Sequence, residues 1–401
     1  MSRKGRRVYP YHATLAHVVG YASGRYGTAG IEDAFDRELA ARPLTSGPVE
    51  QVQALLAPAR NARRGDDIVT TIDTTVQDAL TAALSRYERG AGVVIDPRSG
   101  AVLALASVPS FDPNSLDAIF PKLAHDASSP LLDRSTLGLY PPGSTFKIVT
   151  AADALDAGTV TPADSWYDPG TFTVGDFTVH DNEGESTGTQ DLTGAFKLSS
   201  NVDFAQIGLK LGLDRWYDYA GRWRLGESLD FDLPTARDGI PSRASVSPSI
   251  LAQMSFGQGA LLVTPLQMAL VASTIAADGV IPRPFIVRQI AGAATKLATQ
   301  PEQLATPISA TVAHQVRSMM VAVVQSGTGT AAALPAITVA GKTGTATNPA
   351  GTAHAWFVAF APAEKPRVAV AVLVENGGYG GTVSAPIARD VLRVALSKTG
   401  R

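Results

Sequence analysis

Two apolar strand-turn-strand stretches lie near opposite ends of the chain, and they constrain its fold more than any other feature. The first, GVVIDPRSGAVLALAS (92–107), carries two hydrophobic runs joined by the turn DPRSG. The second, AWFVAFAPAEKPRVAVAVLVEN (355–376), repeats that order. Apolar runs separated by turn residues predict β-hairpins. Both hairpins can share one antiparallel sheet, provided the chain between them forms a second layer and returns. Helical spacing in TTVQDALTAALSRYERG (74–90), with Gly90 as its stop, and in SAPIARDVLRVALSK (384–398) predicts helices on the sheet faces. The predicted class is α+β, an antiparallel sheet flanked by helices plus a mostly helical lobe.

Composition narrows the chemistry. With 401 residues, 45% hydrophobic and 17% charged, the chain can bury a large core. A net charge of −2 gives no field favouring nucleic acid, and Arg3, Lys4, Arg6 and Arg7 make only a small basic cluster. The lack of cysteine excludes disulfides, a thiol nucleophile and Cys-ligated zinc. The six histidines show no metal-ligand spacing and H-E-x-x-H is absent, so no cofactor is expected. No apolar run reaches the length of a membrane span.

The strand-like DDIVTTID (66–73) marks the start of a larger domain, 65–401, after an adjunct spanning 1–64. Within that adjunct, GIEDAFDRELAARP (30–43) predicts a helix and VEQVQALLAPARNARRG (49–65) a short amphipathic piece. In the middle of the chain, STFKIVTAADALDAG (144–158) has helical spacing. Residues 247–279 contain apolar pieces broken by Gly257, Gly259 and Pro265, and read as two core segments.

Three fragments carry chemistry. In GLYPPGSTFKIV (138–149), Pro141 and Pro142 cannot lie within a helix, which puts Ser144 at the start of the next one. Three residues on, Lys147 returns to nearly the same face, one turn deeper. Flanked by Phe146 and Ile148, its amine is partly desolvated, which lowers its pKa and frees it as a base for the Ser144 hydroxyl. The plain alternative is a helix cap and a solvated lysine. The second fragment, Ser199-Ser200-Asn201, falls at a junction of two short helices. It reads either as an N-cap or as a proton-relay hydroxyl (Ser199) beside an amide (Asn201) able to bond a lysine and a substrate peptide group. The third, ITVAGKTGTAT (337–347), reads as a strand carrying Lys342, Thr343, Gly344 and Thr345. A phosphate-binding loop would need glycine where Ala336 stands and a helix afterwards. What is left is a protected sheet edge, or a cationic strand on which a peptide carboxylate docks with Gly344 permitting close backbone approach.

S-x-x-K, S-x-N and K-T-G in this order form the motif set of serine acyl-transferases of the penicillin-binding and β-lactamase type. The chain resembles the penicillin-binding transpeptidases over almost its whole length. Through YPYHATLAHVVGYASGRYGTAGIEDAFDREL, TTIDTTVQDALTAAL, VVIDPRSGAVLALASVPSFDPN and GQGALLVTPLQMALVASTIAADG it is similar to the class B proteins, actinobacterial A-type. The resemblance implies a penicillin-binding/β-lactamase-like transpeptidase fold, with 1–64 the remnant of an N-terminal pedestal domain and a membrane anchor lying outside this sequence. It implies a D,D-transpeptidase that cross-links peptidoglycan stem peptides ending in D-Ala-D-Ala, and whose serine β-lactam antibiotics acylate. A β-lactamase or a β-lactam-sensing domain is the alternative, though Glu227 and Glu302 lack the context of a deacylating glutamate. The implied roles are Ser144 as nucleophile, Lys147 as base, Ser199 as proton relay, and Asn201 as the amide that bonds lysine and substrate. Lys342 is expected to stay charged, Thr343, Gly344 and Thr345 to bind the substrate carboxylate, and the Ser144 and Thr345 N–H groups to hold the oxyanion. The implied location is the extracytoplasmic face of the bacterial membrane, beside cell-wall synthesis proteins of division or cell shape.

Overall fold

The computed structural model describes residues 2–3, 6–40, 65–181, 184–237, 239–292, 296–348 and 351–398. Its centre is a five-stranded antiparallel sheet built from both predicted hairpins and the K-T-G strand. The strands are β1 (Gly90–Ile95), β2 (Val102–Val108), β3 (Ala340–Asn348), β4 (Gly351–Ala361) and β5 (Val368–Val374), in the order β3-β4-β5-β1-β2. Gly90 therefore opens β1 instead of closing the preceding helix, which is α1 (Thr74–Leu84). A side chain at Gly90 would press on the Leu373 carbonyl at 2.8 Å, so the glycine serves strand pairing.

Both faces of the sheet are buried, which is why its strands read as continuous apolar runs. Along β4 and β5, Phe357, Ala359, Val370 and Val372 point into one cluster, where α1 and the closing helix Ser384–Lys398 pack. Val358, Phe360, Ala371 and Leu373 point into the other, larger cluster, shared with the helical lobe. That lobe contains α2 (Lys147–Asp156), α3 (Leu192–Leu198), α4 (Asn201–Leu211), α5 (Pro248–Ser255), α6 (Pro265–Ala276) and α7 (Ala310–Ser326). The apolar stretch 247–279 is thus two helices, α5 and α6, and α6 is buried on every side.

The strand predicted at 66–73 is Asp67–Thr70, paired with Val287–Ala291. The helix predicted at 30–43 is two short turns, Ile31–Ala34 and Asp36–Leu39, interrupted at Phe35. The amphipathic piece at 49–65 lies almost wholly outside the described residues. Residues 6–40 pack onto the larger unit through the Asn114 amide, which donates to the Tyr9 carbonyl at 2.8 Å, and through Leu15, Val18 and Ile31, which join the main core. Among the described residues, no helix is long and apolar enough to cross a membrane.

Candidate active site

The segment before Ser144 is held from four sides. Tyr140 exchanges backbone hydrogen bonds with Val263 at 3.0 and 2.9 Å. The Pro141 carbonyl accepts from the Trp356 indole at 3.0 Å, and the Pro142 carbonyl from the Thr145 hydroxyl at 2.7 Å. Gly143, at φ 54°, donates its N–H to the Gly257 carbonyl at 2.8 Å. Gly257 is itself left-handed at φ 82°, and a Cβ there would lie 2.0 Å from the Gly143 oxygen. The prolines thus present two carbonyls to fixed donors and need no N–H of their own. Ser144 follows in a 3₁₀ turn, Gly143–Phe146, that leads into α2 at Lys147.

Ser199 caps α3 in the left-handed conformation, φ 66° and ψ 36°, where a non-glycine residue costs about 1–3 kcal/mol. The turn aims its carbonyl and hydroxyl at the lysines. Lys147 Nζ donates to the Ser199 carbonyl at 2.6 Å and to Asn201 Oδ1 at 2.8 Å, and lies 3.3 Å from Ser199 Oγ. Lys342 Nζ donates to the same Ser199 Oγ at 2.8 Å and to the Thr343 carbonyl at 3.2 Å. The capping role falls to the middle residue of S-x-N: Ser200 Oγ accepts the Asp203 N–H at the start of α4, 2.9 Å away. The cap is thus made by Ser200, and Ser199 and Asn201 are left to bond the lysines.

Register delivers Lys342. It stands opposite Val358, whose side chain faces the helical lobe, so edge strand β3 sends its amine toward α3 and Thr343 to the other face. Ser144, Ser199, Asn201, Thr343 and Thr345 line one cleft of about 1210 Å³. Lys147 and Lys342, both fully buried, sit behind it, joined through the Ser199 hydroxyl. Gly344 does not line it. A Cβ at Gly344 would meet Thr145 Cγ2 at 2.9 Å and the Pro142 carbonyl at 3.0 Å. Its close backbone approach within the fold is to the nucleophile's turn.

Electrostatics corrects one expectation. Burial pulls the Lys147 amine down to about 7, against the opposing pull of Asp181, Asp203 and Asp168. Lys342 is pushed well below its ordinary value by burial first and by Lys147 second. Two ammonium groups facing one hydroxyl in a buried site repel, so the site disfavours the charged form of Lys342, against the expectation that it stays charged. Burial is the larger influence on Lys147, and the nearby carboxylates only partly offset it. One proton of the Asn201 amide is already given to the His180 carbonyl at 2.9 Å, leaving the other for a substrate.

Several contributors escaped the sequence reading. Thr328 shares a 2.6 Å hydrogen bond with the Thr343 hydroxyl, and Tyr379 and Thr382 also line the cleft. The three aspartates beside Lys147 gave no motif, since they lie on separate elements. Only the Gly-Thr run SGTGT (326–330) offered a composition signal for Thr328. Among the described residues, no group of three or more His, Cys, Asp or Glu could hold a metal ion.

A family model, the penicillin binding protein transpeptidase domain, matches residues 90–393. The chain belongs to that family. Among curated relatives of this penicillin-binding protein, peptidoglycan D,D-transpeptidase PbpA of Mycolicibacterium smegmatis is 37% identical, over 97% of this chain and 84% of its own length. A solved D,D-transpeptidase domain from Eggerthella lenta superposes with TM-score 0.89 at 36% identity, covering 98% of this chain and 93% of that one. Penicillin-binding protein A of M. tuberculosis, solved as a penicillin G acyl-enzyme complex, superposes with TM-score 0.89 at 32% identity over 99% and 96% of the two chains.

Proposed function

We propose that this penicillin-binding protein is a peptidoglycan D,D-transpeptidase that works through an acyl-enzyme on Ser144. One observation carries the assignment of roles: two buried amines from distant parts of the chain converge on one hydroxyl, Ser199, behind the cleft that Ser144 lines. Neutral Lys147 takes the Ser144 proton as Oγ attacks the carbonyl between the last two D-alanines of a stem peptide. The Oγ–C bond forms, the C–N bond breaks, and the proton passes through Ser199 to the departing D-alanine amine. The N–H groups of Ser144 and Thr345 hold the oxyanion, where loss of one donor costs about 10²–10³ in rate. Thr343 and Thr345 bind the substrate carboxylate, with Lys342 behind them. An amine of a second stem peptide then attacks the ester, completes the cross-link and frees Ser144.

Peptidoglycan lies outside the cytoplasm, so the protein acts there. Anchoring in the membrane, association with cell-wall synthesis proteins, and a division of the chain into a pedestal remnant (1–64) and a transpeptidase domain (65–401) complete this reading. β-Lactams, whose ring amide mimics the scissile bond, are its covalent inhibitors.

Labelled penicillin tests the assignment. It is expected to form an adduct that persists for hours and that Ser144→Ala abolishes. An undiminished adduct in the variant removes Ser144 as nucleophile, and turnover within seconds identifies a β-lactamase instead.

A further inference from the structure

Behind Lys147 lies a group of carboxylates that the proposed reaction does not use. Asp168, at the end of the strand Ser165–Asp168, is fully buried, and Asp181, just after the strand Phe177–His180, is 8% exposed. Gly170 brings them together: its N–H goes to Asp168 Oδ1 at 2.6 Å and its carbonyl accepts the Asp181 N–H at 3.2 Å, so each carboxyl lies within the other's influence. Their hydrogen bonds are unequal. Asp168 Oδ1 accepts the Gly170 N–H at 2.6 Å and Oδ2 accepts the Thr187 hydroxyl at 2.5 Å, with the Ser200 side chain also bonding this carboxylate. Asp181 Oδ1 accepts the backbone N–H of Asn201 and, at 3.3 Å, that of Val202, the first two residues of α4. Asp181 Oδ2 is buried with no protein donor to accept from. Two neighbouring, largely buried carboxylates disfavour double ionisation, although Asp181 borders the cleft, and a proton on the buried Asp181 Oδ2 turns that orphaned acceptor into a donor toward Asp168.

We propose that Asp168 and Asp181 hold one proton between them, with Asp181 the protonated partner, and that this pair positions Asn201 against Lys147 and controls whether Lys147 is free to accept the Ser144 proton. The positioning half is geometric. Asp181 takes the Asn201 backbone N–H and its neighbour His180 takes the Asn201 side-chain amide, so the strand end grips Asn201 at both places and leaves Oδ1 facing Lys147 Nζ. The control half is electrostatic. When Asp181 loses its proton, its negative charge favours the ammonium form of Lys147, and the site is trapped as an ion pair unable to take a proton from serine.

The remaining groups around the pair agree. Asp203 on α4 accepts from Gln190 Nε2 at 2.7 Å, and the same nitrogen donates to Thr187 Oγ1 at 2.6 Å, which orients the Thr187 hydroxyl proton toward Asp168. Burial pushes Asp181 up to about 7 and Asp203 up to about 6, while Asp168 is held below its ordinary value by the donors aimed at it, although burial alone would raise it. Lys147 is the cation beside the group, Lys342 reaches it only through Ser199, and His180 is exposed.

The inference rests on Lys147 as the base, and its test is built to fail separately from that reading. Penicillin acylation rates are measured from about pH 5 to about pH 9 for wild type, Asp181→Asn and Asp168→Asn, together with thermal midpoints. An asparagine at 181 reproduces the donor and acceptor of the neutral carboxyl. That variant is expected to fold, to shift the acid limb of acylation about one pH unit lower, and to acylate severalfold faster than wild type near neutral pH, because the ion-pair state is gone. Asp168→Asn sets an amide against donors and is expected to lower both midpoint and rate at every pH. An acid raised in the folded state stabilises below its unfolded value and loses that contribution as pH rises through its folded value. The wild-type midpoint should therefore fall between roughly pH 4 and about 7, and Asp181→Asn should flatten that fall. Equal damage from both substitutions, an Asp181→Asn protein that does not fold, or an unmoved acid limb each overturns the proposal. If penicillin forms no adduct on Ser144, the transpeptidase reading falls instead, and the midpoints alone judge the pair.

Discussion

At the scale of single residues, the site depends on amines that burial has disarmed. A solvated lysine is charged at neutral pH and cannot accept a proton. Lys147 is held near 7, so penicillin acylation should rise with pH along an acid limb close to that value. A limb near that of an ordinary amine would show that Lys147 is not the base. Lys147→Ala should lower acylation by about 10²–10⁴ while keeping the thermal midpoint within about 5 °C, since it removes a buried amine whose desolvation already costs stability. Ser199 is the less obvious participant, because its left-handed backbone brings one hydroxyl within 3.3 Å of Lys147 and 2.8 Å of Lys342. Ser199→Ala keeps the carbonyl contact to Lys147 but unlinks the amines, and should slow acylation by about a hundredfold without unfolding the protein, as read by rate and circular dichroism.

At the scale of elements, close backbone approach sets the nucleophile. The turn at 140–145 is pressed between the loop after α5 and strand β3, at two glycines. Gly257→Ala would set a methyl 2.0 Å from the Gly143 oxygen at a positive φ. It should cost about 1–3 kcal/mol in denaturant unfolding and at least about tenfold in acylation, because Ser144 is the residue after Gly143. An alanine there with full acylation would show that this contact does not set the serine. The helices and hairpins themselves were legible, since their periodicity is local. Gly90 was misread because its pairing partner, Val374, lies far along the chain, and the break at Phe35 has no counterpart in the local spacing.

At the scale of the whole molecule, one buried cation ties the sheet to the nucleophile segment. Arg134, 2% exposed, donates to Glu375 Oε1 at 2.7 Å and to the carbonyls of Ser128 and Ser129 at 2.6 and 3.0 Å. Tyr140, which leads into the two prolines, donates to the same Glu375 oxygen at 2.8 Å. Glu375→Ala leaves that guanidinium without its carboxylate and should destabilise the fold by about 3–5 kcal/mol in denaturant unfolding. A loss below about 1 kcal/mol would mean that the network is not structural. The sequence alone determined the hairpins, the closing helix, the serine at a helix start with a lysine one turn on, and the three motifs, because each is a pattern within a few residues. Tertiary structure alone decided that Lys342 meets Ser199 across 143 residues, that Gly344 faces the nucleophile's turn, that burial and Lys147 push the Lys342 amine down, and that three aspartates crowd Lys147. Burial and charge are sums over neighbours in space, and a linear pattern carries no term for neighbours that only folding brings together.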